Sequence, residues 1–179
     1  MTCIVGMIEG NRVVMGADSA GSNSYDIRII NSPKVFRNGE FIIGGTGSWR
    51  MLQLLNFSLD IPEVGDMDIY EFICTKFIKQ VRKTFRKGGY IQKHAEGNDK
   101  GGLFLVAYKD RLFKVESDFT VVEQEQKFDS CGSGEDYANA IMCYFKDSGM
   151  SVNVILTKAL EVATKLSAGV EPPYTFLST

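Results

Sequence analysis

Two short apolar runs open the chain, Cys3 to Ile8 and Arg12 to Ala17, separated by Glu9-Gly10-Asn11. Runs of this length around a glycine-containing connection predict a β-hairpin. Their apolar residues are nearly continuous rather than alternating, so the strands are expected to be covered on both faces, by a second sheet on one side and helices on the other. A polar stretch from Ser22 to Ser32 precedes a second predicted hairpin, Pro33-Lys34-Val35-Phe36 and Glu40 to Gly45, turned at Asn38-Gly39. Gly44-Gly45-Thr46-Gly47-Ser48 then leads into Trp49-Arg50-Met51-Leu52, where apolar clustering predicts a helix beginning near Ser48. Exposed backbone N–H groups are expected at such a strand, glycine turn and helix junction, where they can hold an anion or an oxyanion.

Further along, Ile69, Ile73, Phe77 and Val81 recur at helical spacing, and the predicted helix ends at Gly88-Gly89. Its other face carries Lys76, Lys79, Arg82, Lys83, Arg86 and Lys87. Such a run reads as a solvated face, with contact to an acidic partner or neighbouring subunit as the alternative. Three short strands follow at 102–108, 111–115 and 119–123, suggesting a second sheet, and Phe128 to Gly134 brings another strand into a glycine turn. Helical spacing returns at 136–145 and again through Val152, Ile155, Ala159, Val162, Ala163 and Leu166, before Pro172-Pro173 ends regular helix ahead of a short apolar tail. With no linker or repeat to divide it, the chain of 179 residues is expected to form one domain, 1–179.

Composition narrows the function classes. Lys+Arg 20 against Asp+Glu 22 leaves no basic excess, so nucleic acid is not an expected partner. No segment approaches the apolar length of a membrane helix, and the opening lacks a secretory signal pattern, which points to no membrane association and a cytoplasmic location. Cys3, Cys74, Cys131 and Cys143 have no metal-binding spacing and sit among apolar or small residues, so they are expected to be buried and inert. No metal and no cofactor is expected.

The single histidine, His94, lies in a polar loop-like stretch and is a weak candidate base. A different chemistry needs none. If Met1 is removed, Thr2 becomes the N-terminus, and its α-amine, with an ordinary pKa of about 7.7–8.0, can act as base toward its own hydroxyl. Asp18 directly follows the second strand among small residues, where hairpin geometry can bring it to the start of the first; taken alone it can equally cap a turn. Lys34, taken alone, reads as a solvated strand residue entering from an edge.

Taken together, Thr2-Cys3-Ile4-Val5-Gly6, Gly16-Ala17-Asp18, Lys34-Val35, Gly44-Gly45-Thr46-Gly47 and Gly132-Ser133-Gly134-x-x-Tyr137-Ala138 resemble the proteasome β-subunit family of N-terminal nucleophile hydrolases. Among these, bacterial HslV-type peptidases and their phage-encoded relatives look nearest. The resemblance runs from residue 2 to about residue 169, in order. It implies an α+β fold, a four-layer α-β-β-α sandwich, and a threonine endopeptidase cleaving peptides or unfolded proteins. It places the nucleophile on Thr2, with Asp18 and Lys34 tuning or relaying its proton, the oxyanion donor on Gly45 or Gly47, and Ser133 orienting the Thr2 amine. It also implies a homo-oligomeric ring and a separate ATP-dependent unfoldase.

One stretch departs from the family pattern. Thr164-Lys165-Leu166-Ser167 stands where an Asp-x-x-Ser is usual, so the carboxylate is missing and Ser167 alone remains to support the amine. Two other readings accompany the peptidase: an amidohydrolase of the same fold acting on a small amide, and a ring-forming scaffold with a weakened site.

Overall fold

The computed structural model describes residues 1–22, 25–91 and 101–179. Strands β1 (Cys3–Glu9) and β2 (Arg12–Ala17) form the expected hairpin, and β3 (Ala20–Ser22) pairs with β4 (Ile27–Ile29). Strands β5 (Val35–Asn38) and β6 (Phe41–Thr46) follow, then helix α1 (Trp49–Phe57). The next helical region comprises α2 (Ile69–Phe72), a π-helical turn over Ile73–Phe77, and α3 (Ile78–Lys87). Strands β7 (Leu103–Tyr108), β8 (Arg111–Val115), β9 (Val121–Glu123) and β10 (Phe128–Gly132) precede helices α4 (Glu135–Phe145) and α5 (Val152–Leu166), and β11 (Thr175–Ser178) closes the chain.

The strands assort into a four-stranded sheet, β10-β1-β2-β11, and a five-stranded sheet, β5-β6-β7-β8-β9. Three apolar clusters define the layers. Phe72, Phe77 and Phe85 of the α2–α3 region pack with α1 on the five-stranded sheet, where Phe41 stacks on Phe72, Phe77 and Tyr108. On the four-stranded sheet, Cys3, Val5 and Val14 meet Met142 of α4 and Leu156, Ala159 and Ala163 of α5. Ile4, Met15 and Ala17 face Val35, Ile42 and Leu105 between the sheets. Successive side chains of a strand point to opposite faces, so Cys3 and Val5 turn to the helices while Ile4 enters the sheet interface. This is the expected α-β-β-α sandwich, and it explains the near-continuous apolar runs of the first hairpin.

Burying a glycine strand in that interface brings the sheets close. A Cβ at Gly44 would lie 2.8 Å from both Ile4 Cγ2 and Val35 Cγ2, so the absence of a side chain sets the approach of β6 to β1.

Three expectations need correcting. The polar stretch after Asp18 contributes to the small β3–β4 hairpin, and the tail after Pro173 is a strand that pairs with β2. Both were missed because three- and four-residue strands carry too little periodicity to register. The cysteines also divide: Cys3 and Cys131 are buried, Cys74 is half-buried and Cys143 is exposed. Cys143 lies on a face of α4 turned away from the core, where local apolar composition does not dictate burial. On the basic helix, Lys76, Lys79, Lys83, Arg86 and Lys87 are exposed, and the half-buried Arg82 lies over the Phe119 ring. His94 falls outside the described residues. No helix among the described residues is long and apolar enough to cross a membrane.

Candidate active site

Antiparallel register assembles the site from three separate hairpin-like pairings. In the β1–β2 ladder Ile4 opposes Ala17, so the next rung brings Cys3 beside Asp18. There the Cys3 amide donates to Asp18 Oδ1 at 2.9 Å and the Asp18 amide donates to the Cys3 carbonyl at 3.3 Å. In the β1–β10 ladder Cys3 opposes Gly132, and the following rung sets Ser133 against Thr2. The Thr2 N–H donates to Ser133 Oγ at 3.2 Å, and the Gly134 N–H donates to the Thr2 carbonyl at 3.3 Å. In the β5–β6 ladder Val35 opposes Gly44, and one rung further the Gly45 N–H donates to the Lys34 carbonyl at 3.1 Å.

Asp18 and Lys34 meet at the rim of the sheet interface. Lys34 Nζ donates to Asp18 Oδ1 at 2.8 Å and to Oδ2 at 2.9 Å, with both residues almost wholly buried. Oδ2 also accepts the Ala20 amide at 2.9 Å and the Glu171 amide at 3.4 Å. Such a saturated carboxylate is fixed in place, which a buried ion requires. Burial lowers the Lys34 ammonium below its ordinary range, and Asp18 acts against that shift. The lysine is therefore neither a solvated strand residue nor a simple counter-ion, because its environment eases loss of a proton.

In the glycine turn the backbone N–H groups of the two candidate oxyanion donors have different surroundings. The Gly45 N–H is spent on Lys34, whereas no hydrogen bond engages the Gly47 N–H among the described residues. Gly47 has φ of +97°, a backbone that glycine adopts without strain, and immediately precedes the α1 N-cap, Ser48, whose hydroxyl accepts the Met51 amide at 3.3 Å. Thr2, Lys34, Thr46 and Gly47 share a cavity of about 90 Å³, which Met1 also lines.

Supporting contacts come from both chain ends. Ser167 Oγ donates to the Ser133 carbonyl at 3.1 Å and to Ser133 Oγ at 3.2 Å, extending a hydroxyl chain toward Thr2 N. Thr164 is turned elsewhere, its hydroxyl 2.8 Å from that of Tyr174. Cys3, next to the nucleophile candidate, is no competitor: burial, with Asp18 and Glu135 adding to it and Lys34 opposing, pushes its thiol up to about 12. Sequence reading missed the segment after Val170, where the Ser19 amide donates to the Glu171 carbonyl at 2.9 Å and the Ser19 hydroxyl to the Pro173 carbonyl at 2.5 Å. Its signal was the apolar tail beyond Pro172-Pro173, which β11 ties to β2. Among the described residues there is no group of three or more His, Cys, Asp or Glu arranged for a metal ion.

With Met1 present, Thr2 N is a peptide nitrogen and Thr2 Oγ1 donates to the Met1 carbonyl at 2.5 Å, while the Met1 amine donates to Ser22 Oγ at 2.9 Å.

No family model matches the chain. The HslV ATP-dependent protease subunit of Borrelia turicatae (strain 91E135) is 24% identical over 172 residues, covering 92% of this chain and 89% of that protein. BPH of Thiobacillus denitrificans, solved alone and in complex with epoxomicin, superposes with a TM-score of 0.82 at 20% identity; for the complex, 99% of this chain and 98% of that one are covered. HslV of Trypanosoma brucei gives a TM-score of 0.70 at 18% identity, over 99% of this chain and 98% of that one. The chain thus has the α-β-β-α fold of the proteasome-type N-terminal nucleophile hydrolases and is similar to HslV subunits along most of its length.

Proposed function

We propose that this chain, once Met1 is removed, is a threonine endopeptidase that cleaves peptides or unfolded proteins through an ester on Thr2. The observation carrying this reading is the convergence on Thr2 of a buried Lys34–Asp18 pair, an uncommitted Gly47 N–H and the Ser133 hydroxyl. Thr2 Oγ1 attacks the scissile carbonyl carbon as its proton passes to the α-amine, with Lys34 lowering the cost of the developing alkoxide. The carbonyl oxygen gains the negative charge and takes the Gly47 N–H as donor. Collapse breaks the C–N bond, and the proton held by the α-amine leaves with the departing amine. Water then attacks the ester, returns its proton through the same amine, and releases the acid and Thr2. Ser133, held by Ser167, keeps the amine oriented throughout.

The relatives' description as ATP-dependent protease subunits supports a further part of the reading, that this chain works in a homo-oligomeric ring with a separate ATP-driven unfoldase. Native mass spectrometry of the purified protein tests the ring, and a stable monomer would count against it.

The chemistry is tested by treating the protein with an electrophilic peptide epoxyketone and mapping the adduct by mass spectrometry. Modification on Thr2 in the form lacking Met1, none in the form retaining it, and loss of casein cleavage in Thr2→Ala are the expected results. Cleavage that persists in Thr2→Ala overturns the assignment.

A further inference from the structure

A second buried lysine approaches the site from the opposite sheet. Leu112 of β8 faces the four-stranded sheet, and side chains of a strand share a face at every second residue, so Lys114 enters the same interface, where it is 7% exposed. An ammonium in that position needs a partner. Lys114 Nζ is closely paired with Glu135, the first residue of α4, and stands 3.9 Å from Asp129 Oδ1 and 3.9 Å from Glu116 Oε1. Burial works against the charged lysine, but Glu135, Asp129 and Glu116 outweigh it and hold its pKa above the ordinary lysine range.

The pair holds a turn that offers few other handles. Residues 132–134 are Gly-Ser-Gly, and both glycines lie too close to the start of β1 to carry side chains: a Cβ at Gly132 would fall 2.2 Å from the Thr2 carbonyl oxygen, and one at Gly134 2.8 Å from Cys3 Cβ. Gly134 is also the N-cap of α4, so no capping side chain fixes the start of that helix. This turn is what touches Thr2, through the Gly134 N–H on its carbonyl at 3.3 Å and through Ser133 Oγ, which accepts the Thr2 N–H at 3.2 Å. Glu135 is the next residue in the chain. Its carbonyl accepts the Ser130 hydroxyl at 3.1 Å and its carboxylate meets Lys114, so the turn is tied to β10 on one side and to β8 of the opposite sheet on the other. A buried ion pair contributes little net stability, because desolvation offsets the attraction. Here it fixes where the turn stands.

We propose that Lys114 and Glu135 are positioning residues for the Thr2 reaction: their ion pair anchors the 132–134 turn to β8, so that Ser133 Oγ and the Gly134 N–H hold Thr2 in place beside Lys34 and the Gly47 N–H. The inference rests on Thr2 as the nucleophile. Neither residue touches the reacting atoms, and the cavity that Thr2 shares with Gly47 is lined by Ala20 to Ser22 and Gly45 to Trp49 rather than by residues 132–135. Loosening the pair therefore displaces the nucleophile and leaves the substrate's place intact, which lowers kcat and spares KM.

Glu135→Gln, Glu135→Asp and Asp136→Asn, each in the form lacking Met1, decide it by peptide kinetics together with amide hydrogen exchange read by mass spectrometry. Glu135→Gln leaves Lys114 its neighbours Asp129 and Glu116, so the fold is retained. Asp136→Asn removes a carboxylate from the same first turn of α4, but an exposed one outside the pair. In Glu135→Gln kcat should fall at least tenfold with KM within twofold of wild type, and exchange over residues 130–138 should quicken at least tenfold while that of β6 and β7 is unchanged. Glu135→Asp keeps the charge one methylene further from Lys114 and should fall between, and Asp136→Asn should match wild type. An unchanged kcat in Glu135→Gln, a lower kcat with exchange over 130–138 unaltered, faster exchange throughout the chain, or an equal loss in Asp136→Asn overturns the positioning role and leaves Thr2 as the nucleophile. Wild type inert toward both the peptide and the epoxyketone rejects the Thr2 reading, and this role with it.

Discussion

The Lys34 ammonium holds both carboxylate oxygens of Asp18, at 2.8 and 2.9 Å, while Asp18 Oδ1 also accepts the Cys3 amide next to Thr2. The pair therefore links the start of β1 to the entry of β5, so its removal has a structural and a chemical consequence that can be separated. Lys34→Met leaves a buried carboxylate with only amide donors and should cost about 3–5 kcal/mol of stability. Adding Asp18→Asn removes the unpaired charge, and stability should recover in part, a coupling measurable by a double-mutant cycle in urea. Peptidase activity should not recover. It should stay reduced by about 10²-fold or more in both proteins, because neither keeps the Lys34 ammonium that lowers the cost of the developing Thr2 alkoxide.

Gly47 and Gly132 both have positive φ, yet substitution should act on them differently. A Cβ at Gly47 meets nothing within 4 Å, so Gly47→Ala pays only the cost of a left-handed backbone, about 1–2 kcal/mol. Relaxing that strain tilts the N–H assigned to the oxyanion. A loss in kcat of about 10- to 100-fold with little change in KM is expected, short of the full value of a deleted donor. Gly10→Ala is the control: its φ is +62° with equally open surroundings, so it should lose similar stability and no activity. At Gly132 the Cβ would lie 2.2 Å from the Thr2 carbonyl oxygen, so Gly132→Ala should displace Thr2 itself and abolish activity.

The order of elements was legible in the apolar pattern, and the place of Asp18 in hairpin geometry, whereas Lys34 and Ser133 were singled out only by the family resemblance, because their approach to Thr2 depends on the β5–β6 and β1–β10 pairings, one rung beyond which they lie. What sequence left open was decided by individual hydrogen bonds. Gly45 and Gly47 look alike in the turn, and only the bond from Gly45 to the Lys34 carbonyl tells them apart. Lys34 reads as a solvated residue because its burial comes from long-range packing of the sheets. The bond that the Glu171 amide donates to the Asp18 carboxylate was invisible for a similar reason, since it joins residues 153 positions apart through a backbone N–H that carries no sequence signature.

The cysteines give a prediction about which sulfur reacts. With its thiol pushed up to about 12, Cys3 has a thiolate fraction of only ~10⁻⁴ at pH 8, and burial also raises the Cys131 thiol well above its ordinary range. Native protein treated with iodoacetamide at pH 8 should be labelled on the exposed Cys143 and spared at Cys3 and Cys131, with both becoming labelled in guanidinium chloride. Peptide mapping reads the result. Alkylation of Cys3 in the native protein, matched by loss of activity, would instead make the thiol beside Thr2 a reacting group.

Asp129 ties stability to pH. Burial raises its carboxyl above the ordinary range, with Glu135 adding to the shift and Lys114, the Ser130 amide and Gln124 opposing it. The folded protein therefore binds this proton more tightly than the unfolded chain does. Its contribution to stability is fully present below the unfolded carboxyl pKa of about 3.9 and declines as pH rises through the higher folded value. Asp129→Asn imitates the protonated form at every pH, and Lys114 keeps Glu135 as its partner. Urea unfolding should accordingly find the variant close to wild type in acid and more stable than wild type at pH 7. A variant less stable than wild type at pH 7 would show that the Asp129 charge is already compensated in the folded protein.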